Sequence, residues 1–248
     1  WLWKDRGTRL AQDLVGMFAI ALWDETKETL FLARDRAGQK PLYIAELPGG
    51  GIAFASEVKA LLQHPHVSRT LCPMAVRQFL AFDYVPGDLS IYQSIKKLRP
   101  GSTLVWRKGQ RVEERFSSPR IEGARITGIQ EGADDLWHAL KGAVQRRLMS
   151  DVPLGVFLSG GVDSAAIVTA MSEVTRPEAI STFSVGFDDP RFDESHIATR
   201  IAERLGTQHH VKRLRSVDVL QALPEIMGTL DEPFADASLK VFDKEGAL

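Results

Sequence analysis

From Leu154 to about Met227 the sequence alternates short apolar runs with helix-period segments, and this alternation constrains the fold more than any other feature. LGVFL, ISTFSVGF and HHVKRL read as strands. VDSAAIVTAMSE, ESHIATRIAERL and VDVLQALPEIM read as the helices that follow them, the second closed by Gly206 and the third bent or split at Pro224. Apolar strands separated by helices imply parallel βαβ units, and several in succession give a doubly wound, Rossmann-like open sheet. Ligands of such sheets sit at the carboxyl ends of the strands. A further helix precedes the first strand: Leu136, Leu140, Ala143, Val144 and Leu148 share a helical face, and Pro153 prevents its continuation.

The first part of the chain follows a different rhythm. MFAIALWD and ETLFLAR are strand-like runs joined around Glu25-Thr26-Lys27, PLYIAEL and GIAFA flank the glycine-rich turn PGGG, and STLVW precedes a turn at Lys108-Gly109. Helices are expected at SEVKALLQ and PMAVRQFLAF, so this part is α+β with mostly antiparallel strands. The stretch SSPRIEGARIT loses periodicity and gains Pro, Gly and charge. The expected organisation is therefore residues 1–116, a linker over 117–130, and residues 131–248.

A length of 248 residues with 44% hydrophobic and 25% charged residues suits one large or two modest domains. The net charge of −1 supplies no field for nucleic acid or an anionic membrane surface, and the pairs Lys96-Lys97 and Arg146-Arg147 are too short to alter that. No apolar run approaches the roughly 20 residues of a membrane helix, and no signal-type segment opens the chain. A single cysteine, Cys72, fits a reducing compartment, with cytoplasm the expected location.

The stretch LSGGVDSA, Leu158 to Ala165, lies where the first parallel strand gives way to its helix. Amides of roughly Ser159 to Val162 can converge in front of the helix N-terminus, an anion cradle. Gly160 and Gly161 let backbone approach a phosphate, and Ser159 and Ser164 can add hydroxyl donors. A carboxylate at Asp163 would repel phosphate unless a Mg²⁺ bridges them. Neither the P-loop pattern with its lysine nor the dinucleotide fingerprint is present.

SGGVDS resembles the pyrophosphate loop of N-type ATP pyrophosphatases. RRLMSDVPLGVFLSGGVDSAAIV, TFSVGF, FDESHIATRIAERLGTQHHV and LDEPFADAS are similar to the synthetase domain of glutamine-hydrolysing asparagine synthetases. GMFAIALWDETKETLFLARDRAGQKPLYI, FASEVKALLQHP and SIKKLRPGSTL are similar to the later part of that family's N-terminal glutaminase domain. The resemblance implies a partial Ntn-type αββα glutaminase followed by an adenine nucleotide alpha hydrolase-like domain. It further implies an ATP-dependent ligase with Mg²⁺ as cofactor, which converts aspartate to asparagine through β-aspartyl-AMP with glutamine-derived ammonia. A homodimer is compatible with it; nucleic acid and membrane are not expected partners. Ser159 and Asp163 are the catalytic candidates, with Asp163 on the metal. Leu158, Ser159, Gly160, Gly161, Val162, Asp163, Ser164 and Val185 are the nucleotide-binding candidates. Asp231, Glu232, Asp236 and Ser238 are expected in a loop on the substrate side.

Departures from the family pattern qualify that expectation. The family's glutaminase begins with a nucleophilic cysteine, whereas this chain begins with Trp1 and Cys72 is internal. Its next Ser-Gly-x-Gly-x-Asp-Glu loop does not follow LDEPFADAS; LKVFDKEGAL does. The chain is therefore expected to be a fragment cut at both ends. A relative acting on another carboxylate, as β-lactam synthetases do, and a non-catalytic nucleotide-binding module are the competing readings.

Other candidates have plainer roles. His209-His210 point to opposite faces of a strand, a poor metal pair. Arg34-Asp35-Arg36 reads as a salt-bridged turn, to which the resemblance adds a domain contact. Cys72 reads as a small buried side chain with no helix start, histidine or cation beside it. Trp3, Trp23 and Trp106 read as core or interface anchors.

Overall fold

The computed structural model describes residues 1–119, 123 and 128–235. The described residues fall into two compact units, 1–119 with 229–235, and 123 with 128–228.

In the first unit, short helices α1 (Leu2–Arg6) and α2 (Leu10–Asp13) precede β1 (Ala19–Asp24) and β2 (Thr29–Arg34). Next come β3 (Tyr43–Leu47), β4 (Gly51–Ala55), α3 (Val58–Leu61), α4 (Pro73–Phe82), β5 (Ile95–Lys97), β6 (Ser102–Arg107) and β7 (Gln110–Arg115). They form two antiparallel sheets, ordered β1-β2-β6-β7 and β4-β3-β5. The pleat of β2 explains the layering, because successive side chains point to opposite faces. Leu30 and Leu32 join Ile44, Leu42, Leu98 and Leu104 between the sheets. Phe31 and Ala33 join Leu10 and Ala11 on the other side. On β3, Ile44 faces the inter-sheet core while Tyr43 and Ala45 pack with Val58 and Leu61 of α3. Helix, sheet, sheet and helix are thus stacked in four layers.

Asp35, only 1% exposed, holds the turn after β2. The sequence suggests a salt-bridged Arg-Asp-Arg turn here, but each side chain instead finds backbone. Asp35 accepts from the amides of Phe18, Ala37, Gln39 and Lys40. Arg34 donates to the carbonyls of Gly38, Lys40 and Leu98, and Arg36 to those of Gln12 and Leu14. Charge is used here to satisfy peptide groups that the turn would otherwise leave unpaired. Of the tryptophans, Trp3 and Trp106 pack on core clusters and bond Asp24 and Gly50, while Trp23 is 54% exposed and anchors no core. Cys72, half-buried, stands at the N-cap of α4, contrary to the expectation of no helix start beside it.

The second unit contains α5 (Ile129–Arg147), β8 (Gly155–Phe157), α6 (Val162–Val174), β9 (Ser181–Phe187), α7 (Ser195–Leu205), β10 (Gln208–Leu214) and α8 (Ser216–Thr229). Its three strands are parallel in the order β10-β9-β8, so among the described residues the winding steps in one direction only. Val144 of α5 packs with Ala170 and Met171 of α6. Val168 of α6 packs with Leu158 and with Ala198 and Ala202 of α7. The inward stripe of α5 is Trp137, Leu140, Val144 and Leu148; Leu136, expected on it, is 71% exposed. Gly206 closes α7 at φ 73°, and α8 continues through Pro224, which lies inside the helix.

Burial raises the cost of ionising Asp35, but its four amide donors more than offset this and hold its carboxyl below the ordinary carboxylate value. Its stabilisation is therefore complete above the unfolded value of about 3.9 and is lost as pH falls through the lower folded value. Asp35→Ala is expected to cost about 2 kcal/mol at pH 7, the difference from wild type fading below about pH 4, as urea unfolding across pH will measure.

Candidate functional site

The site is built where β8 leaves its sheet. Ladder pairing with β9 ends at Phe157, opposite Phe183. Leu158, 1% exposed, extends the strand by one residue: its amide donates to the Phe183 carbonyl at 2.8 Å. Its carbonyl receives the hydroxyl of Ser184. The chain then turns through Ser159, Gly160 and Gly161 into α6.

Gly160 takes φ 83°, which L side chains rarely adopt. A Cβ there would also lie 3.0 Å from Cβ of Ile197 and 3.3 Å from the Glu194 carbonyl oxygen, so the start of α7 backs the loop. Gly161 is the N-cap of α6 at φ −75°, with no side-chain cap. The first-turn amides of a helix have no partner within it, and the helix dipole makes that end favourable for an anion. Val162 is 84% exposed at this end, and Asp163 places an exposed carboxylate in the first turn.

The two serines bond chiefly to one another. Ser164 Oγ accepts the Ser159 amide at 3.2 Å, lies 3.1 Å from Ser159 Oγ and donates to the Gly161 carbonyl at 3.0 Å. Ser159 Oγ also accepts the Gly161 amide at 3.4 Å. The expected convergence of every loop amide on one anion is thus altered: Ser159 and Gly161 have their amides engaged inside the loop. Val185, half-buried on β9, lies beyond the β8 pairing and opposite Lys212 of β10.

The loop's donor set fits magnesium held jointly with a ligand, since one carboxylate, Asp163, and two hydroxyls could complete coordination only with phosphate oxygens and water. Among the described residues no group of three His, Cys, Asp or Glu could hold a metal by itself. His209 Nδ1 instead lies 2.8 Å from Thr182 Oγ1, and His210 stacks on Phe183. No helix among the described residues is long and apolar enough to cross a membrane.

The LDEPFADAS candidates divide. Asp236 and Ser238 lie outside the described residues. Asp231 and Glu232 are bonded within the first unit: Asp231 accepts the Lys59 amide at 3.2 Å, and Glu232 pairs with Lys97 at 2.7 Å and accepts the Ile91 amide at 2.9 Å. The Tyr43 hydroxyl also donates to Glu232, and burial together with that carboxylate pushes its pKa up. Ser184, Glu194 and Ile197, which shape the loop, were not singled out as site residues in the sequence. The local signal is a pair of hydroxyl residues, Thr182 and Ser184, two apart in the strand-like run TFSVGF.

Comparison with known proteins places these units. The family model described as asparagine synthase matches residues 135–241, and the one described as glutamine amidotransferase domain matches residues 1–117. The chain is thus of the amidotransferase–synthase class. It is 37% identical over 240 residues to a protein of Mycobacterium tuberculosis (strain ATCC 25618 / H37Rv) provisionally named as a glutamine-hydrolyzing asparagine synthetase, covering 94% of this chain and 36% of that protein. It is 32% identical over 232 residues to asparagine synthetase (glutamine-hydrolyzing) 1 of Bacillus subtilis (strain 168), covering 91% and 35%. The chain belongs to the glutamine-hydrolysing asparagine synthetase family and spans about a third of the length of these relatives.

Gly160→Ala is expected to lower the stability of the second unit by about 1–2 kcal/mol, since it must hold a left-handed backbone and displace Ile197. Gly161→Ala, at an ordinary φ, should cost less than half as much. Urea denaturation of both variants measures the contrast.

Proposed function

We propose that this chain carries part of an ATP-dependent amide ligase that forms asparagine from aspartate. The observation that carries the reading is the SGGVDS stretch, which leaves the first parallel strand and forms the N-cap and first turn of a 13-residue helix. A carboxylate is a poor electrophile, so amide formation needs a leaving group. The side-chain carboxylate of aspartate attacks the α-phosphorus of ATP, the α–β phosphoanhydride breaks, and pyrophosphate leaves β-aspartyl-AMP. Ammonia then attacks the acyl carbon and displaces AMP, giving the amide after loss of a proton.

In this reading, the free amides at the start of α6 and the hydroxyls of Ser159 and Ser164 hold the departing pyrophosphate, where the helix dipole favours the growing charge. Gly160 and Gly161 admit the phosphates to the backbone. Leu158 and Val185, at the ends of adjacent strands, contact the nucleotide. Asp163 would hold Mg²⁺, which when bound neutralises phosphate charge. Binding phosphate first requires the Ser159–Ser164 contacts to yield, so the loop exchanges internal bonds for bonds to ligand.

Residues 1–116 are read as part of an Ntn-type glutaminase domain, with glutamine the ammonia source, and residues 131–248 as part of an adenine nucleotide alpha hydrolase-like, doubly wound domain, joined by the linker 117–130. The four-layer stacking of the first unit and the parallel strands of the second support this. A cytoplasmic location and small-molecule substrates accord with it, and a homodimer is compatible.

Calorimetry should show the chain binding MgATP. Asp163→Asn should weaken that binding at least about tenfold while changing metal-free ATP binding less than about twofold. Equal losses in both conditions would remove the metal role from Asp163. Exchange of labelled pyrophosphate into ATP that depends on aspartate, measured on a protein containing the complete synthetase domain, tests the substrate. Exchange driven by another carboxylate and not by aspartate would replace it.

A further inference from the structure

We propose that Ser184 is a positioning residue for the phosphate loop, aiming it from the neighbouring strand. The inference rests on the reading of SGGVDS as a pyrophosphate site. Along β9 the inward row is Thr182, Ser184 and Gly186, where a parallel strand covered by helices ordinarily carries large apolar residues. A buried hydroxyl is costly unless bonded, so each one on this row calls for an explanation. Thr182 has its own in Thr207 and His209, at the start of β10. Ser184, 4% exposed, donates to the carbonyl of Leu158, the last residue before the loop.

That bond falls at the point where the ladder ends. In a continuing parallel pair a backbone amide would supply the Leu158 carbonyl; here a side chain does, so Ser159 and the residues after it can depart from the sheet while Leu158 remains held. The consequence reaches the loop through peptide planarity. In a trans peptide the carbonyl and the following N–H point in opposite directions. With the Leu158 oxygen held toward β9, the Ser159 N–H is directed into the loop, where it meets Ser164 Oγ at 3.2 Å. Ser184 thereby sets the orientation of the first loop donor without touching the ligand.

Calorimetric titration of the 248-residue chain with magnesium pyrophosphate and, separately, with adenosine tests this. Ser184→Ala should bind pyrophosphate about tenfold more weakly while adenosine affinity changes less than about twofold. Ser184→Thr, which keeps the hydroxyl, should recover to within about threefold of wild type. Amide exchange over residues 157–161 should quicken in the alanine variant, with β9 itself still protected. Unchanged pyrophosphate affinity in the alanine variant, or equal losses for pyrophosphate and adenosine, would overturn the positioning role. Should the alanine variant fail to fold, Ser184→Cys, a near-isostere with a weak donor, carries the same comparison. A wild-type chain that binds adenosine but not pyrophosphate would overturn the reading of the loop itself.

Discussion

A parallel strand must leave its sheet at its carboxyl end before it can enter a crossover helix, and the candidate site depends on how β8 does so. Leu158 is held to β9 by both its backbone polar groups, its amide donating to the Phe183 carbonyl and its carbonyl accepting the Ser184 hydroxyl. Two residues later Gly160 turns through a positive φ against the start of α7, where a side chain would collide with Ile197. Between these two fixed points the loop can have little choice of path. The open N-terminus of α6 and the carboxylate of Asp163 are placed as a result of it, and helix-end electrostatics then make that place suited to an anion.

The first unit meets its constraints by other means. Its second strand is buried on both faces, so apolar residues occur there without alternation, and the layers on either side follow from the pleat alone. The peptide groups of the turn after its second strand find partners in side chains, Asp35 accepting amides while Arg34 and Arg36 donate to carbonyls. Glu232 does the same for the Ile91 amide while also pairing with Lys97, whose side chain is 14% exposed, as Glu232's is 13%. One partner removed from such a pair leaves the other charge poorly solvated, so both residues depend on each other for their positions.

Much of this was legible in the residues. The strand–helix alternation after residue 154 yields parallel strands because strand-like runs of five to eight residues separated by helical periods have few other ways to pack. The glycine pair at 160–161 marks a sharp turn for the same steric reason in any context. Other readings went astray where several assignments satisfy the same pattern. Leu136 and Trp137 are both apolar and both fit a helical stripe with Leu140, Val144 and Leu148; only the packing against α6 selects Trp137. Trp23 sits in an alternating strand, and the alternation does not say which face is covered. Opposite charges adjacent in sequence suggested an ion pair at residues 34–36, yet the peptide groups they serve come from residues as distant as Leu14 and Leu98.

What the sequence determined by itself is the class of each unit and the location of the loop, because both follow from local preferences: periodicity, the freedom of glycine, and the break between strand and helix. What only the tertiary structure decided is how that loop is held and aimed. Ser184 stands 20 residues beyond Ser164, and its bond to Leu158 exists only once β8 and β9 lie side by side. Hydrogen bonds between segments distant in sequence depend on strand register, which no short stretch of residues encodes alone.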